Sequence, residues 1–180
     1  SLGPESGFSQ LVRTQIFMAL GLEHSARDVL GYSAQSDLPT AQHFADRGTI
    51  HAYFNQRDLA LADLDRAISI NPNKPDFYVS RAKVFANVND FGSAIIDLNS
   101  AIRLSPSDGR LFVDRGILHH IGSESRNATA DFDIARSLGE SDIPLLEDRN
   151  ISYFAYFKTH RFLTNDPFNT RTKSYTDMIP

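Results

Sequence analysis

Six histidines and 22 acidic residues are the groups in this 180-residue chain that could move protons or hold a metal; there is no cysteine. Their spacing argues against either use. His119 and His120 are adjacent, so on a helix they point to different sides. Asp131 and Asp133 are two apart, a separation at which helical side chains diverge rather than meet. No glycine-rich phosphate loop or dinucleotide fingerprint is present. No G-x-S-x-G elbow offers a serine nucleophile. Without cysteine there is no disulfide, thiolate metal site or thiol nucleophile. Two N-x-[ST] matches, Asn127-Ala-Thr129 and Asn150-Ile-Ser152, fall inside predicted helices and read as accidental. The expectation is a non-catalytic protein with no cofactor and no metal.

The residues that do keep a strict spacing are arginines. Arg13, Arg47, Arg81, Arg115 and Arg149 follow one another at steps of 34. Such a series could be a basic track for acidic partners. It could equally be structural, because Asp63, Asp97 and Asp131 repeat at the same step. The structural reading is favoured: each arginine stands three places after an aromatic position, facing a neighbouring helix. An Arg–Asp ladder would then pin helices through guanidinium forks. Whether each arginine pairs within its own unit or with the one before is open from sequence.

The same period organises the rest of the chain. "FADRG" at Phe44–Gly48 returns as "FVDRG" at Phe112–Gly116. Alanines recur at Ala26, Ala60, Ala94 and Ala128, and again at Ala67, Ala101 and Ala135. Phe44, Tyr78 and Phe112 form an aromatic series, and Pro72 and Pro106 a proline pair. Within a unit, Phe44, Gly48, His51 and Ala52 fall on one side of a 3.6-residue period, as do Ala60, Leu64, Ala67 and Ile68. "NQRD", "NVND" and "GSES" supply tight turns between the halves. "INPNKP" and "LSPSDG" stop one unit and start the next. Each unit is predicted to be a helix–turn–helix hairpin. Gly48, Ala82 and Gly116 are placed to let a first helix approach Ala60, Ala94 and Ala128 of its partner closely. His51 and His119, 68 apart, are expected to replace a core aromatic.

With aromatic, small residue, alanine, alanine and proline in the order Phe44, Gly48, Ala60, Ala67, Pro72, the chain resembles the tetratricopeptide repeat family. The next unit reads Tyr78, Ala82, Ala94, Ala101, Pro106. The third reads Phe112, Gly116, Ala128, Ala135, then departs, with Glu140 at the proline place. The resemblance implies an all-α, right-handed superhelix of helix hairpins. Its domain is expected over 7–162, with repeats at 7–40 (degenerate, Gln10 and Thr14 at the aromatic and small places), 41–74, 75–108 and 109–142. A terminal helix carrying Arg149, Tyr153 and Phe157 is expected to cap the array over 143–162. Residues 163–180, with no helical period, form a C-terminal tail.

The resemblance also implies a concave surface lined by first helices, where partner peptides or helices bind. Carried over place by place, the lining is Gln42, Ala45, Thr49, Ala52 and Tyr53 in one unit. The next contributes Asp76, Val79, Lys83, Ala86 and Asn87. The third contributes Arg110, Val113, Ile117, His120 and Ile121. The degenerate repeat would add Phe8, Leu11, Gln15 and Met18, and the terminal helix Glu147, Ile151 and Phe154. Tyr53, Val79, Val113 and Ile117 are expected to make one apolar strip, flanked by Lys83, Asn87 and Arg110, so that aspartates at 113 and 117 would end binding yet spare helicity. A subset of the family grips the acidic tails of chaperones with a clamp of basic residues and asparagines. Here Ala45, Thr49, Ser80 and Asp114 stand at four of the five clamp places and only Arg110 is basic, so that use is not expected. The partner is expected to be a protein or peptide of unknown identity. The alternative is a self-associating unit, a homodimer made through the groove or the tail.

Composition sets the remaining bounds. Hydrophobic residues are 41% and charged residues 22%, ordinary for a globular protein. A net charge of −4 makes nucleic acid a poor partner. No apolar run approaches the ~18–20 residues needed to span a bilayer, so membrane insertion is not expected. "IFMALGL" is too short and carries no basic leader. The first residue is Ser1 rather than methionine, which leaves room for a removed signal or anchor. The cytoplasm is the favoured compartment, although a lack of cysteine does not fix it.

Overall fold

The structure is a computed structural model that describes residues 40–141, together with Thr14, Phe17, His24 and Ser25. Six helices run in order over the continuous part: α1 (Ala41–Tyr53), α2 (Arg57–Ile70), α3 (Pro75–Asn87), α4 (Phe91–Leu104), α5 (Gly109–Ile121) and α6 (Ser125–Ser137). They pair as α1–α2, α3–α4 and α5–α6, the three hairpins of 34 residues that the sequence requires, and each hairpin packs on the next. Of the degenerate repeat, Thr14, Phe17, His24 and Ser25 are helical, and Thr14 is fully buried. The terminal helix over 143–162 and the tail over 163–180 lie outside the described residues.

Local chemistry sets the helix ends. Thr40, Asp90 and Asp108 cap α1, α4 and α5 with side-chain oxygens that accept from backbone N–H groups within the first turn. Pro75 opens α3, where its fixed φ suits a first helical position. The first helices end alike. Asn55, Asn89 and Ser123, 34 apart, take left-handed φ values of 58°, 61° and 63°. The next residue in each case, Gln56, Asp90 or Glu124, donates its N–H five residues back, to His51, Phe85 or His119. This is the Schellman ending, which reverses the chain tightly enough for the second helix to fold back. Asparagine tolerates that conformation; serine does so less well. Replacing Ser123 with asparagine is therefore expected to raise stability by roughly 0.5–1 kcal/mol, read as a higher midpoint in urea unfolding with an unchanged slope.

The small residues sit where the helices touch. Ala60, Ala94, Ala128, Ala67, Ala101 and Ala135 have no exposed surface. A Cβ built on Gly48 would stand 3.1 Å from the Ala60 carbonyl oxygen and 3.0 Å from Leu64 Cγ. One on Gly116 would stand 2.7 Å from the Phe132 ring. These approaches are closer than side chains with a Cβ normally make, so the glycines set the spacing of the first and third hairpins. The apolar core forms two clusters. One joins α1 and α2 to Phe77 and Val84 of α3; the other joins α3 and α4 to α5 and α6.

Candidate functional site

Arg47, Arg81 and Arg115 form the ladder, and the last two pair in both directions; Arg13 and Arg149 lie outside the described residues. Within its own hairpin each arginine forks a buried aspartate. Arg47 donates to Asp63 at 2.7 and 2.5 Å, Arg81 to Asp97 at 2.9 and 2.7 Å, and Arg115 to Asp131 at 2.9 and 2.6 Å. The third nitrogen then reaches back to the preceding hairpin. Arg81 Nη1 donates to Asp65 Oδ1 and Arg115 Nη1 to Asn99 Oδ1, both at 2.6 Å. Hydrogen bonding to Asp97, then to Asp65, holds the Arg81 guanidinium charged well above its ordinary range, against the opposing pull of burial. Arg47 and Arg115 also stand over the Phe44 and Phe112 rings at 5.3 and 5.6 Å. With these three forks satisfied inside the fold, the described arginines hold helices together rather than offering a basic track.

His51 and His119, the expected replacements for a core aromatic, are largely buried, with side chains 14% and 13% exposed and Nε2 facing Asp63 and Asp131 of the forks at 3.6 and 3.9 Å. At the hairpin turn Nδ1 of His51 donates to Gln56 Oε1 at 2.7 Å and Nδ1 of His119 to Glu124 Oε2 at 2.8 Å. Each ring thus spans from the hairpin turn to the buried aspartate of the fork, with a polar partner at either end. Among the described residues no group of histidines and carboxylates is arranged to hold a metal.

The places carried over as lining fall into in-phase rows, and equivalent places differ in burial from one unit to the next. In one row Thr49 is exposed, Lys83 half-buried and Ile117 only 2% exposed. In another Ala45 is 5% exposed, Val79 half-buried and Val113 4% exposed. Tyr53 and Asn87 are exposed and Ile121 is half-buried. The continuous apolar strip expected from sequence is thus corrected. Val113 and Ile117 belong to the core cluster with Ala82, Ala86, Leu118 and Phe132, and Val79 packs against that cluster. The open part of the face is on α1 and α3.

The flanking residues differ in what they hold. Arg110 is exposed but donates to Asp108 at 3.0 and 3.2 Å, so its charge is turned to its own helix cap rather than outward. Thr49 donates to the Ala45 carbonyl at 2.9 Å within α1. His120 is half-buried near the end of α5. Tyr53 is 43% exposed, and Phe54 braces it edge-on with ring centroids 5.3 Å apart. A large, held aromatic with open surface thus stands one unit before an exposed amide at Asn87. Asp46, on the same helix, has its carboxyl pushed above the usual carboxylate range by burial.

No protein-family profile matches the sequence, and no curated protein matches it. Solved structures do. A crystal structure of MamA superposes with a TM-score of 0.66 at 20% identity, covering 76% of this chain and 80% of that one. The structure described as YrrB, a TPR protein with an unusual peptide-binding site, gives 0.63 at 17% identity over 74% and 69%. The first TPR of Spaghetti (RPAP3), bound to the HSP90 peptide SRMEEVD, gives 0.53 at 20% identity over 56% and 79%.

Proposed function

From a chain that has the tetratricopeptide-repeat fold, we propose a non-catalytic protein-interaction scaffold that takes a peptide or amphipathic helix on the open part of its concave face. The observation that carries the reading is Tyr53, a braced and exposed aromatic at a lining place. Asn87 occupies the equivalent place on α3, and Lys83 stands one turn before it. Together Tyr53 and Asn87 offer an apolar contact and an amide able to pair with a peptide backbone. Two of the solved neighbours are described with a peptide site or a bound peptide, which supports the class of partner. The acidic sequence SRMEEVD held by one of them is not proposed as a ligand. The clamp places carry Ala45, Thr49, Ser80 and Asp114, and Asp114 is a buried carboxylate.

The test is selection of peptides from a displayed random library on the whole chain, followed by affinity measurement. Tyr53→Ala with Asn87→Ala is expected to weaken selected peptides at least about tenfold, the loss of one good contact of ~1.4 kcal/mol or more. Helicity should stay unchanged, because both side chains are exposed. Peptides that ignore this pair but are lost with Ile96→Asp on α4 would move the site to the other side of the array. A stable dimer in light scattering, dispersed by Tyr53→Ala, would make a second copy the occupant.

A further inference from the structure

The three described hairpins meet at two joints, and equivalent places at the two carry different residues. At the first joint Arg81 reaches back to a carboxylate, Asp65; at the second Arg115 reaches back to an amide, Asn99. At the first, Tyr78 Oη donates to the Pro72 carbonyl at 3.0 Å and ties α3 to the linker. The equivalent residue at the second is Phe112, which has no hydroxyl to offer Pro106. At the first, Pro75 begins the next helix; at the second, Gly109 does. Proline restricts its own φ; Gly109 serves close approach, since a Cβ on it would stand 3.2 Å from Leu138 Cβ and 3.3 Å from the Ala135 carbonyl oxygen. An open cleft of about 620 Å³ lies between the linker before α5 and the end of α6, lined by Ser105, Ser107 to Arg110, Leu138 and Glu140.

Apolar packing crosses both joints. Phe77 and Val84 enter the cluster of the first hairpin, and Phe112, Val113 and Ile117 share a cluster with Ala82 and Ala86. Close packing of this kind holds both joints and does not by itself distinguish them. The joints differ in their polar contacts: the first has a charged arm, Arg81 to Asp65, and the Tyr78 hydroxyl bond, whereas the second has a neutral arm, Arg115 to Asn99, with the bonds between Asp108 and Arg110 closing locally at the start of α5.

We propose that the second joint is a built-in pivot, about which the hairpin 109–142 tilts against a rigid pair made by 41–74 and 75–108. The motion is a shear of packed helices rather than a separation. It does not depend on what the concave face binds.

The chain has no cysteine, so introduced pairs can carry nitroxide labels without background. Ala62, Ile96 and Ala130 are exposed and 34 apart on α2, α4 and α6. Spin–spin distances between cysteines at 62 and 96 report on the first joint, and those between 96 and 130 on the second. In the whole chain the second distribution is expected to be the broader. Asn99→Asp with Phe112→Tyr should narrow it towards the first. Asp65→Asn with Tyr78→Phe should broaden the first towards the second. Equal widths in the otherwise unaltered chain, or widths that ignore both exchanges, would overturn the pivot. If the variant of the second joint does not fold, the reverse exchange at the first joint decides alone.

Discussion

Aspartate at both Val113 and Ile117 is expected to unfold the third hairpin rather than trim a binding surface. Both side chains are all but inaccessible, and both pack in the cluster that joins α3 and α4 to α5 and α6. A buried carboxylate with no partner costs several kcal/mol even after its pKa adjusts. Two of them, one turn apart on α5, would together cost more than ~5 kcal/mol, comparable with the whole stability of a small domain. The measurement is far-UV circular dichroism with thermal unfolding. Helical signal should fall and cooperativity should be lost at temperatures where the parent chain is folded. A variant that keeps its helicity and melts within a few degrees of the parent would show that these residues can turn to water, and the open apolar strip would be restored.

The second large effect concerns the ladder. Asp97→Ala removes both hydrogen bonds of the in-hairpin fork and leaves Arg81 with Asp65 alone. Asp97 is buried, whereas the Arg81 side chain is 23% exposed and can recover some hydration. The expected loss is therefore about 2–3 kcal/mol, below the upper end for breaking a fully buried pair. Asp65→Ala removes the other arm of the same guanidinium, but Asp65 is 61% exposed. Its cost should stay under about 1 kcal/mol. Urea unfolding of the two variants checks the ordering. Equal losses would mean that the cross-joint arm carries as much stability as the fork, and the ladder would act between hairpins rather than within them.

The period of 34 made the hairpins, the buried alanines and the Arg–Asp pairs legible, because each is a property of phase. What phase does not contain is how much of an equivalent place is covered. Thr49, Lys83 and Ile117 are one place in three units, yet they run from exposed to buried. That difference comes from neighbours in space, and a repeat motif describes only the unit. The cross-joint arm did leave a sign: Asp65 and Asn99 are themselves 34 apart, each two places after the aspartate of the fork. Two polar residues per turn in register mark two partners for one guanidinium. "GSES" misleads in a smaller way. Glycine there suggests the left-handed position, but Gly122 has φ −71° and Ser123 takes the positive value. The hydrogen-bonded ring geometry places the reversal by its distance from the helix end, and the sequence is fitted to it afterwards.

Each guanidinium in the ladder has a bearing on how the chain comes to be folded at all. Arg81 stands 16 residues from Asp97 and 16 from Asp65, and Arg115 is likewise 16 from Asp131 and from Asn99. Among the described residues no clamp asks the chain to close a loop longer than one hairpin, so the entropic cost of closure is the same at each of these steps. Contact order is correspondingly low, which favours fast folding that can start in any hairpin and spread to its neighbours. The same arithmetic bears on descent. Gaining or losing one whole unit of 34 residues leaves every surviving clamp at its original separation, so an array of this kind can change length by duplication or deletion without having to invent a new contact.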